Sequence, residues 1–494
     1  MTQIAQKNES GGIERDTAAG QKLQPHIVTM VSDVETPVSA YSKLSRTNAT
    51  AFLFESSESD LRLSRFSFIG VDPIKTIEIK NSEATIKEVA SGHCETIQTD
   101  HPLKLLEQLL EAEKRRYVQV NELAFLPFAG GLVGYLGYGL TKYLENIPQQ
   151  NNIACDVPDA FYGLYDAFVA FDHARRRIYI VSYRSEAHAR TLQSQLLQTV
   201  EMTSILEPES RVSESEVYDG VEASFTKEDF LKTVTQCKEY IAEGQVFQIV
   251  LAQRFSTVST KEALTVYRAM QAINPSSYAY LLKCDQFSYI GSSPETFVSC
   301  QNGTVVLRAL AGTRKRGETD EQDVALGIEL RSNEKELAEH HMLVDLARND
   351  LGRICRPGTI SVGEIATLVR FSHVMHLSTD VTGTLNQDKS CFDVIASCFP
   401  CGTVSGAPKI RAMQLLSKLE PERRGIYSGA VGYFDFRGNT DGAIAIRSAL
   451  LQNGHAFVNA GAGVVFDSDE LSEYEETRNK ARSVLKAIKI AEAL

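Results

Sequence analysis

The pattern of the chain predicts an α+β fold built on large antiparallel sheets, and three observations carry that expectation. Apolar or alternating runs of strand length recur in both halves of the sequence. Helical patterns fall between them irregularly, giving neither a regular strand–helix alternation nor a pure sandwich. No segment repeats at a fixed period.

Residues 27–97 are strand-rich. Residues 49–56 read as a buried strand running into a polar end, 66–70 as a second, and 75–80 alternate as a half-buried strand does. Residues 102–115 carry apolar side chains at helical spacing. Residues 129–138 place glycines every few positions, which implies close backbone approach inside a sheet, and G-x-G-x-x-G is absent there. Residues 168–183 read as a strand pair with a basic turn at Arg175, Arg176 and Arg177. Residues 201–224 turn polar and lose periodicity, so a domain boundary is expected there. A helix follows, with Thr226 and Asp229 as a capping-box-like start, Phe230, Val234, Cys237 and Ile241 on one face, and Gly244 at its end. Residues 246–255 read as a strand and 333–350 as a long helix with Leu337 and Val344 facing inward. Pro408 suits the first turn of another helix, ahead of Ile410, Met413 and Leu416. Residues 432–436, 443–450 and 456–465 read as strands.

Length and composition bound the function. A chain of 494 residues has material for two or three domain-sized units. Its 43% apolar and 23% charged residues are those of an ordinary globular protein. A net charge of −12 argues against non-specific binding to nucleic acid or anionic membranes. No run approaches the eighteen or so apolar residues of a membrane span. The first 24 residues are polar, lack the apolar core of a secretory signal, and read as a disordered lead-in. Nine scattered cysteines without an export signal favour a reducing cytoplasm. Cys398 and Cys401 form a C-x-x-C without a second pair or histidines at zinc spacing, so buried inert thiols are expected.

The densest chemistry lies near the C-terminus. Residues 459–465 join a glycine-rich strand end to an acidic helix start, in which Glu473 and Glu476 share a face and Lys480 lies one turn further. Carboxylates suit a hard cation such as Mg²⁺, whereas glycine amides and a lysine suit an organic anion. Together they predict an anionic substrate held through a metal. Glu339 sits in mid-helix beside His340 and His341. Adjacent histidines diverge on a helix and H-E-x-x-H is absent, so a two-histidine metal site is not expected, while Glu339 is a candidate partner for Glu476. Residues 402–409 lack the spacing of a phosphate-binding Walker loop.

Residues 339–353 (EHHMLVDLARNDLGR), 402–409 (GTVSGAPK), 459–466 (NAGAGVVF) and 473–482 (EYEETRNKAR) resemble the chorismate-utilising enzymes, most of all the large, chorismate-binding subunits of anthranilate synthases. The resemblance runs from about residue 220 to the C-terminus and is fainter before it, at Phe54, Glu55 and Ser56 and at residues 130–135. It implies sandwich-like antiparallel sheets flanked by helices in two interleaved lobes, a regulatory lobe over residues 25–215 and a catalytic domain over 220–494. It also implies Mg²⁺ on Glu339 and Glu476, with Glu473 joining through water. Chorismate contacts are implied at Gly312, Thr313, Tyr427, Arg447, the amides of Gly461, Ala462 and Gly463, and Lys480. His376 is implied as acid or base and Thr403 as a residue lining the substrate. A dianionic substrate needs one carboxylate on the metal and one on amides or arginine, and the metal supplies charge as a hydroxyl leaves.

Two positions select the reaction within the family. Relatives that add water carry a lysine where this chain has Gln248, and 4-aminating relatives carry a nucleophilic lysine where it has Ala311. Both differences imply amination at C2, hence anthranilate and pyruvate from chorismate and ammonia, the first step of tryptophan biosynthesis. Ammonia would come from a separate glutamine amidotransferase small subunit, in an assembly of two large and two small subunits. Feedback tryptophan is implied at Glu55 and Ser56 and at Asn274, Pro275, Ser276, Ser277, Tyr278 and Ala279. Ser277 and Ala279 replace a proline and a methionine of the family pattern, and residues 309–317 also depart from it. Alternatives are an enzyme that stops at 2-amino-2-deoxyisochorismate, a feedback-insensitive enzyme of secondary metabolism, and a non-catalytic regulatory paralogue.

Overall fold

Among the described residues, two twelve-stranded sheets carry the molecule. The computed structural model describes residues 22–56, 65–118, 120–148, 152–153, 155–202, 212–370 and 374–494. Residues 1–21 of the expected lead-in and 203–211 of the expected boundary lie outside them. Leu23 is already paired, donating its amide to the Arg116 carbonyl at 2.7 Å.

The first sheet runs His26–Val31, Arg177–Ser182, Ala167–Asp172, Phe66–Val71, Ala51–Glu55, Tyr278–Cys284, Phe287–Ser293, Ser448–Gln452, His455–Val464, Gln248–Val258 and Glu222–Ala223, with Gly406–Ala407 added beside Gln248–Val258. The second runs Ser361–Val362, Val374–Thr384, Thr304–Lys315, Thr296–Gln301, Thr440–Ile444, Ala430–Asp435, Gly131–Leu136, Ala160–Tyr165, Lys75–Lys80, Glu83–Glu88 and Cys94–Gln98, with Thr367–Arg370 beside Val374–Thr384. These ladders are antiparallel. Each sheet takes strands from both halves of the chain, joined where Ala51–Glu55 meets Tyr278–Cys284 and where Gly131–Leu136 meets Ala430–Asp435. The α+β class and the interleaving are as the sequence implies.

Local chemistry explains the elements. The alternating strand Lys75–Lys80 buries Ile77 and Ile79 and leaves its lysines half-buried. Gly134 sits where a Cβ would lie 1.9 Å from the Phe161 carbonyl oxygen, so the neighbouring strand tolerates only hydrogen there. Thr226 caps helix Lys227–Ala242 by accepting from the Asp229 amide at 3.1 Å. Between the sheets Phe128 meets Phe52, Phe68, Phe168 and Tyr433 at tilted or edge-on angles. Truncating such a ring in a packed core costs about 3–5 kcal/mol. Helix Glu470–Glu492 packs Ala481, Val484, Leu485, Ile488 and Ala491 into a second core on the outer face of the first sheet. Among the described residues no helix is long and apolar enough to cross a membrane.

One expectation is corrected. Residues 443–450 do not form one strand: Thr440–Ile444 belongs to the second sheet and Ser448–Gln452 to the first. The chain crosses between sheets at Ala445, Ile446 and Arg447, and Arg447 takes the left-handed backbone, φ +51°. Burial on both sides of the crossing preserves the apolar pattern, which therefore hides the break. A second crossing lies beside it, where Phe287–Ser293 leaves the first sheet and Thr296–Gln301 enters the second through Pro294 and Glu295.

Candidate active site

Two helices bring the expected carboxylates to one place. Helix Glu334–Gly352 starts on Asn333, which accepts from the Glu336 amide at 3.1 Å. Its buried His340 meets Thr379 Oγ1 at 2.6 Å, which fastens the helix to strand Val374–Thr384. His340 is thus a structural residue, and its neighbour Glu339 accepts from Gln248 Nε2 at 3.3 Å. Helix Glu470–Glu492 is capped by Asp469, which accepts from the Ser472 amide at 2.8 Å, and it presents Glu473, Glu476 and Lys480. Burial first, then the Glu336 and Glu476 charges, push Glu339 above the usual carboxylate range against the Gln248 bond. Burial and the Glu476 charge likewise raise Glu473.

These residues fit a divalent cation. Carboxylates crowded in partial burial are relieved by positive charge, and Mg²⁺ takes one or two carboxylates while keeping water and substrate oxygens. Among the described residues no three His, Cys, Asp or Glu side chains form a ready-made metal cage. Glu476 also pairs with Lys480 at 2.6 Å, and Lys480 Nζ donates to the Gly461 carbonyl at 2.9 Å. The lysine and the carboxylate therefore share a position at the glycine-rich strand end.

That strand end is an open edge. Ser448–Gln452 pairs with His455–Val464 only up to Phe457, so Gly461 and Gly463 lie beyond the strand on that side. In an antiparallel ladder the amide and carbonyl of one residue point the same way, and neighbours alternate. Lys480 on the Gly461 carbonyl marks the open side, so Gly461 and Gly463 direct their amides there. Ala462, opposite Leu251, turns its own into the ladder, which corrects the expectation of three amides to two. A Cβ on Gly461 would lie 3.0 Å from Tyr427 Oη, and one on Gly463 2.9 Å from Gln248 Nε2.

The sheet crossings supply a second set of groups. Arg447 donates from Nη1 to the Lys480 carbonyl at 2.8 Å, and its own carbonyl accepts from the Ser292 amide at 3.1 Å. Its side chain feels the Tyr427 hydroxyl and the Glu476 charge. At the neighbouring crossing Glu295 accepts from Thr403 Oγ1 at 2.8 Å, and its carbonyl accepts from the Ile444 amide at 3.0 Å. Removal from water pushes the Glu295 carboxyl up to about 7, against the lowering effects of Thr403 and Lys480. The sequence reading missed Glu295. Its signal is Pro294 followed by an acid between two apolar runs, a strand end at which a carboxylate is left facing inward.

Gly312, Thr313 and His376 form one further cluster. The Thr304–Lys315 ladder shifts register between Ala311 and Arg314, and Gly312 takes φ +65° in that bulge. His376 Nδ1 donates to the Gly312 carbonyl at 2.8 Å, and Thr313 Oγ1 lies 3.2 Å from the same nitrogen. A carbonyl only accepts, so Nδ1 carries the proton. Burial lowers the His376 pKa, and the neighbouring Arg447 charge adds to this, so the ring is neutral near pH 7. Arg314 braces the bulge through Glu329 and Glu336.

The expected tryptophan segments lie together, with Ala279 opposite Glu55 across their ladder. Glu55 Oε2 accepts from Tyr267 Oη at 2.6 Å, and the Ser56 hydroxyl is buried without a hydrogen-bond partner among the described residues. This group reaches the crossings through Ser292: Ser276 Oγ donates to its carbonyl at 3.1 Å, and its own Oγ donates to the Asn274 carbonyl at 2.5 Å. Tyr278 Oη donates to Asp441 Oδ1 at 3.1 Å and accepts from Thr296 Oγ1, next to Glu295. Cys398 and Cys401 are unbridged, and burial pushes both thiols up.

Comparison with known proteins agrees with this arrangement. The chorismate binding enzyme family matches residues 49–486. Anthranilate synthase component 1 of Acetivibrio thermocellus is 39% identical over 96% of this chain and 97% of its own length. The Synechocystis sp. protein of the same name is 40% identical over 93% and 94%. The crystal structure of anthranilate synthase component I from Streptococcus pneumoniae TIGR4 superposes with a TM-score of 0.73 and 34% identity, over 92% of this chain and 99% of that one. The menaquinone-specific isochorismate synthase MenF of Escherichia coli, at 18% identity and a TM-score of 0.67, shares the fold. The chain belongs to the chorismate binding enzyme family and, within it, to the group of anthranilate synthase component 1 proteins.

Proposed function

We propose that this chain converts chorismate and ammonia to anthranilate, pyruvate and water, as the large subunit of an anthranilate synthase serving tryptophan biosynthesis. The observation that carries the reading is the gathering of Glu476, Lys480, Arg447 and the proton-retaining Glu295 about the bare edge at Gly461 and Gly463. Anion contacts, a cation-ready pair of carboxylates and an acid poised near neutrality are the parts this reaction needs.

Glu339 and Glu476 would hold Mg²⁺, with Glu473 joining through water, and the ion would supply positive charge at one substrate carboxylate as the hydroxyl departs. Arg447, Lys480 and the amides of Gly461 and Gly463 take the other carboxylate, and Tyr427 and Thr313 orient the ring. Glu295, held by Thr403, gives its proton to the 4-hydroxyl, which leaves as water while ammonia bonds to C2. The neutral His376 then takes the C2 proton as pyruvate departs. Gln248 and Ala311, in place of lysines, support ammonia as nucleophile and C2 as its target.

The lobe over residues 25–215 is the regulatory part, with tryptophan between the Glu55–Ser56 and Asn274–Ala279 segments. A glutamine amidotransferase small subunit supplies ammonia, in an assembly of two large and two small subunits. The nine unbridged cysteines suit the reducing cytoplasm in which we place it. The test is a fluorescence assay of the purified chain with chorismate, Mg²⁺ and an ammonium salt. Anthranilate and pyruvate in equal amounts are expected, and the absence of both overturns the reading.

A further inference from the structure

Arg424 lies outside every motif considered so far, yet its side chain is only 2% exposed and Glu420, its ion-pair partner, only 5%. All five of its N–H groups are engaged. Nε donates to Glu420 Oε2 at 2.9 Å, Nη1 to the Val404 carbonyl at 2.6 Å and Ser428 Oγ at 3.0 Å, and Nη2 to the Val250 carbonyl at 2.6 Å and Glu420 Oε1 at 2.5 Å. Glu420 Oε1 in turn accepts from the Ala252 amide at 3.0 Å. The guanidinium lies over the Tyr138 and Tyr427 rings, 4.8 and 5.8 Å from their centroids.

The acceptors give the pair its meaning. Val404 follows Thr403, which holds Glu295. Ser428 follows Tyr427 and takes the left-handed backbone, φ +65°, which a residue other than glycine keeps only when its surroundings impose it. Val250 stands opposite Gly463 in the ladder that forms the open edge. One planar cation thus ties together three separate segments, each adjoining a residue assigned to the substrate. A buried ion pair contributes little to stability compared with an apolar pair of the same volume, so stability alone does not account for it.

We infer that Arg424, braced by Glu420, is a positioning residue that sets the mutual geometry of Thr403, Tyr427 and the Gly461–Gly463 edge for chorismate. The inference rests on the proposed anthranilate synthase activity. Lysine cannot substitute, because a compact ammonium has three donors and no planar fork.

The experiment measures kcat and KM for chorismate, with Mg²⁺ and ammonium saturating, in the parent chain, Arg424→Lys, the double variant Glu420→Met with Arg424→Met, Tyr427→Phe, and Arg424→Lys combined with Tyr427→Phe. The methionine pair leaves no lone buried charge. Thermal unfolding identifies which variants keep the fold. The folded variants at Arg424 are expected to lose at least about thirtyfold in kcat/KM, as misplaced contacts do. The loss in the Arg424→Lys, Tyr427→Phe combination should fall short of the product of the two single losses, because both act through the Tyr427 contact. A merely structural role predicts parental kinetics in any variant that folds, and that result overturns the inference. So does a fully multiplicative combination, or failure of both Arg424→Lys and the methionine pair to fold. A parent chain that makes no anthranilate removes the functional reading instead, whereas a working parent with working variants removes only this inference.

Discussion

The cation-side wall of the site hangs on two long helices, Glu334–Gly352 and Glu470–Glu492, whereas a second wall hangs on the two points where the chain leaves one sheet for the other. On the helices, carboxylates are repeated at fixed spacing, half-exposed and mutually repelling, a layout that holds charge. At the crossings, single residues, Glu295 and Arg447, are partly buried like the helix carboxylates but are fixed by backbone bonds from Ile444 and Ser292. Crossing between sheets interrupts both ladders, so polar side chains there can face inward without breaking a row of paired strands. Labour is divided: helices supply a tunable anionic wall, and crossings supply single groups whose direction is set by backbone bonds at the sheet ends.

The largest expected effect lies on the helices. Glu339→Gln or Glu476→Gln should lower turnover by on the order of a thousandfold, the several kcal/mol a bound cation supplies, and should raise the Mg²⁺ concentration needed for half-maximal rate. Thermal unfolding should stay near the parental value, since both side chains are half-buried rather than core. Glu295→Gln is next: it keeps an acceptor for Thr403 but has no proton to give, so kcat should fall about a hundredfold or more. Its Mg²⁺ dependence should remain parental, and a shifted Mg²⁺ response in Glu295→Gln would break the contrast between the walls. Arg447→Lys should act mainly on KM for chorismate, raising it about tenfold, because an ammonium loses the planar fork. Ser276→Ala should act least. It removes the hydroxyl bond to the Ser292 carbonyl, costs about 1 kcal/mol in unfolding free energy, and should weaken tryptophan inhibition while leaving basal turnover near parental.

The same contrast explains what could be read from the sequence. Glu473, Glu476 and Lys480 fall at helical spacing after a glycine-rich run, so their shared face is legible from the chain alone. Glu339 is legible as a mid-helix acid, and the strand ladders follow from apolar alternation, as in Lys75–Lys80. Glu295 was missed because a crossing has no period, and the break at Arg447 was read as continuous strand because the residues on either side are buried in different sheets. The turn of Ala462 away from the open edge depends on ladder register, which is set by strands far apart in sequence. Arg424 is invisible for a related reason: its acceptors, Val250, Val404 and Ser428, come together only when three segments do.

Glu295 is the acid of the proposed reaction and holds a proton near neutral pH through desolvation. Its carboxyl lies at about 7, so the acid form is complete well below that value and is lost as pH rises through it. The direct test is the pH profile of kcat/KM for chorismate, with free ammonia and Mg²⁺ held constant, in the parent and in Glu295→Gln. The parent should lose activity on the alkaline side with an apparent pKa near 7, and Glu295→Gln should be slow and without that limb. A variant that keeps both the parental rate and the parental alkaline limb contradicts the assignment.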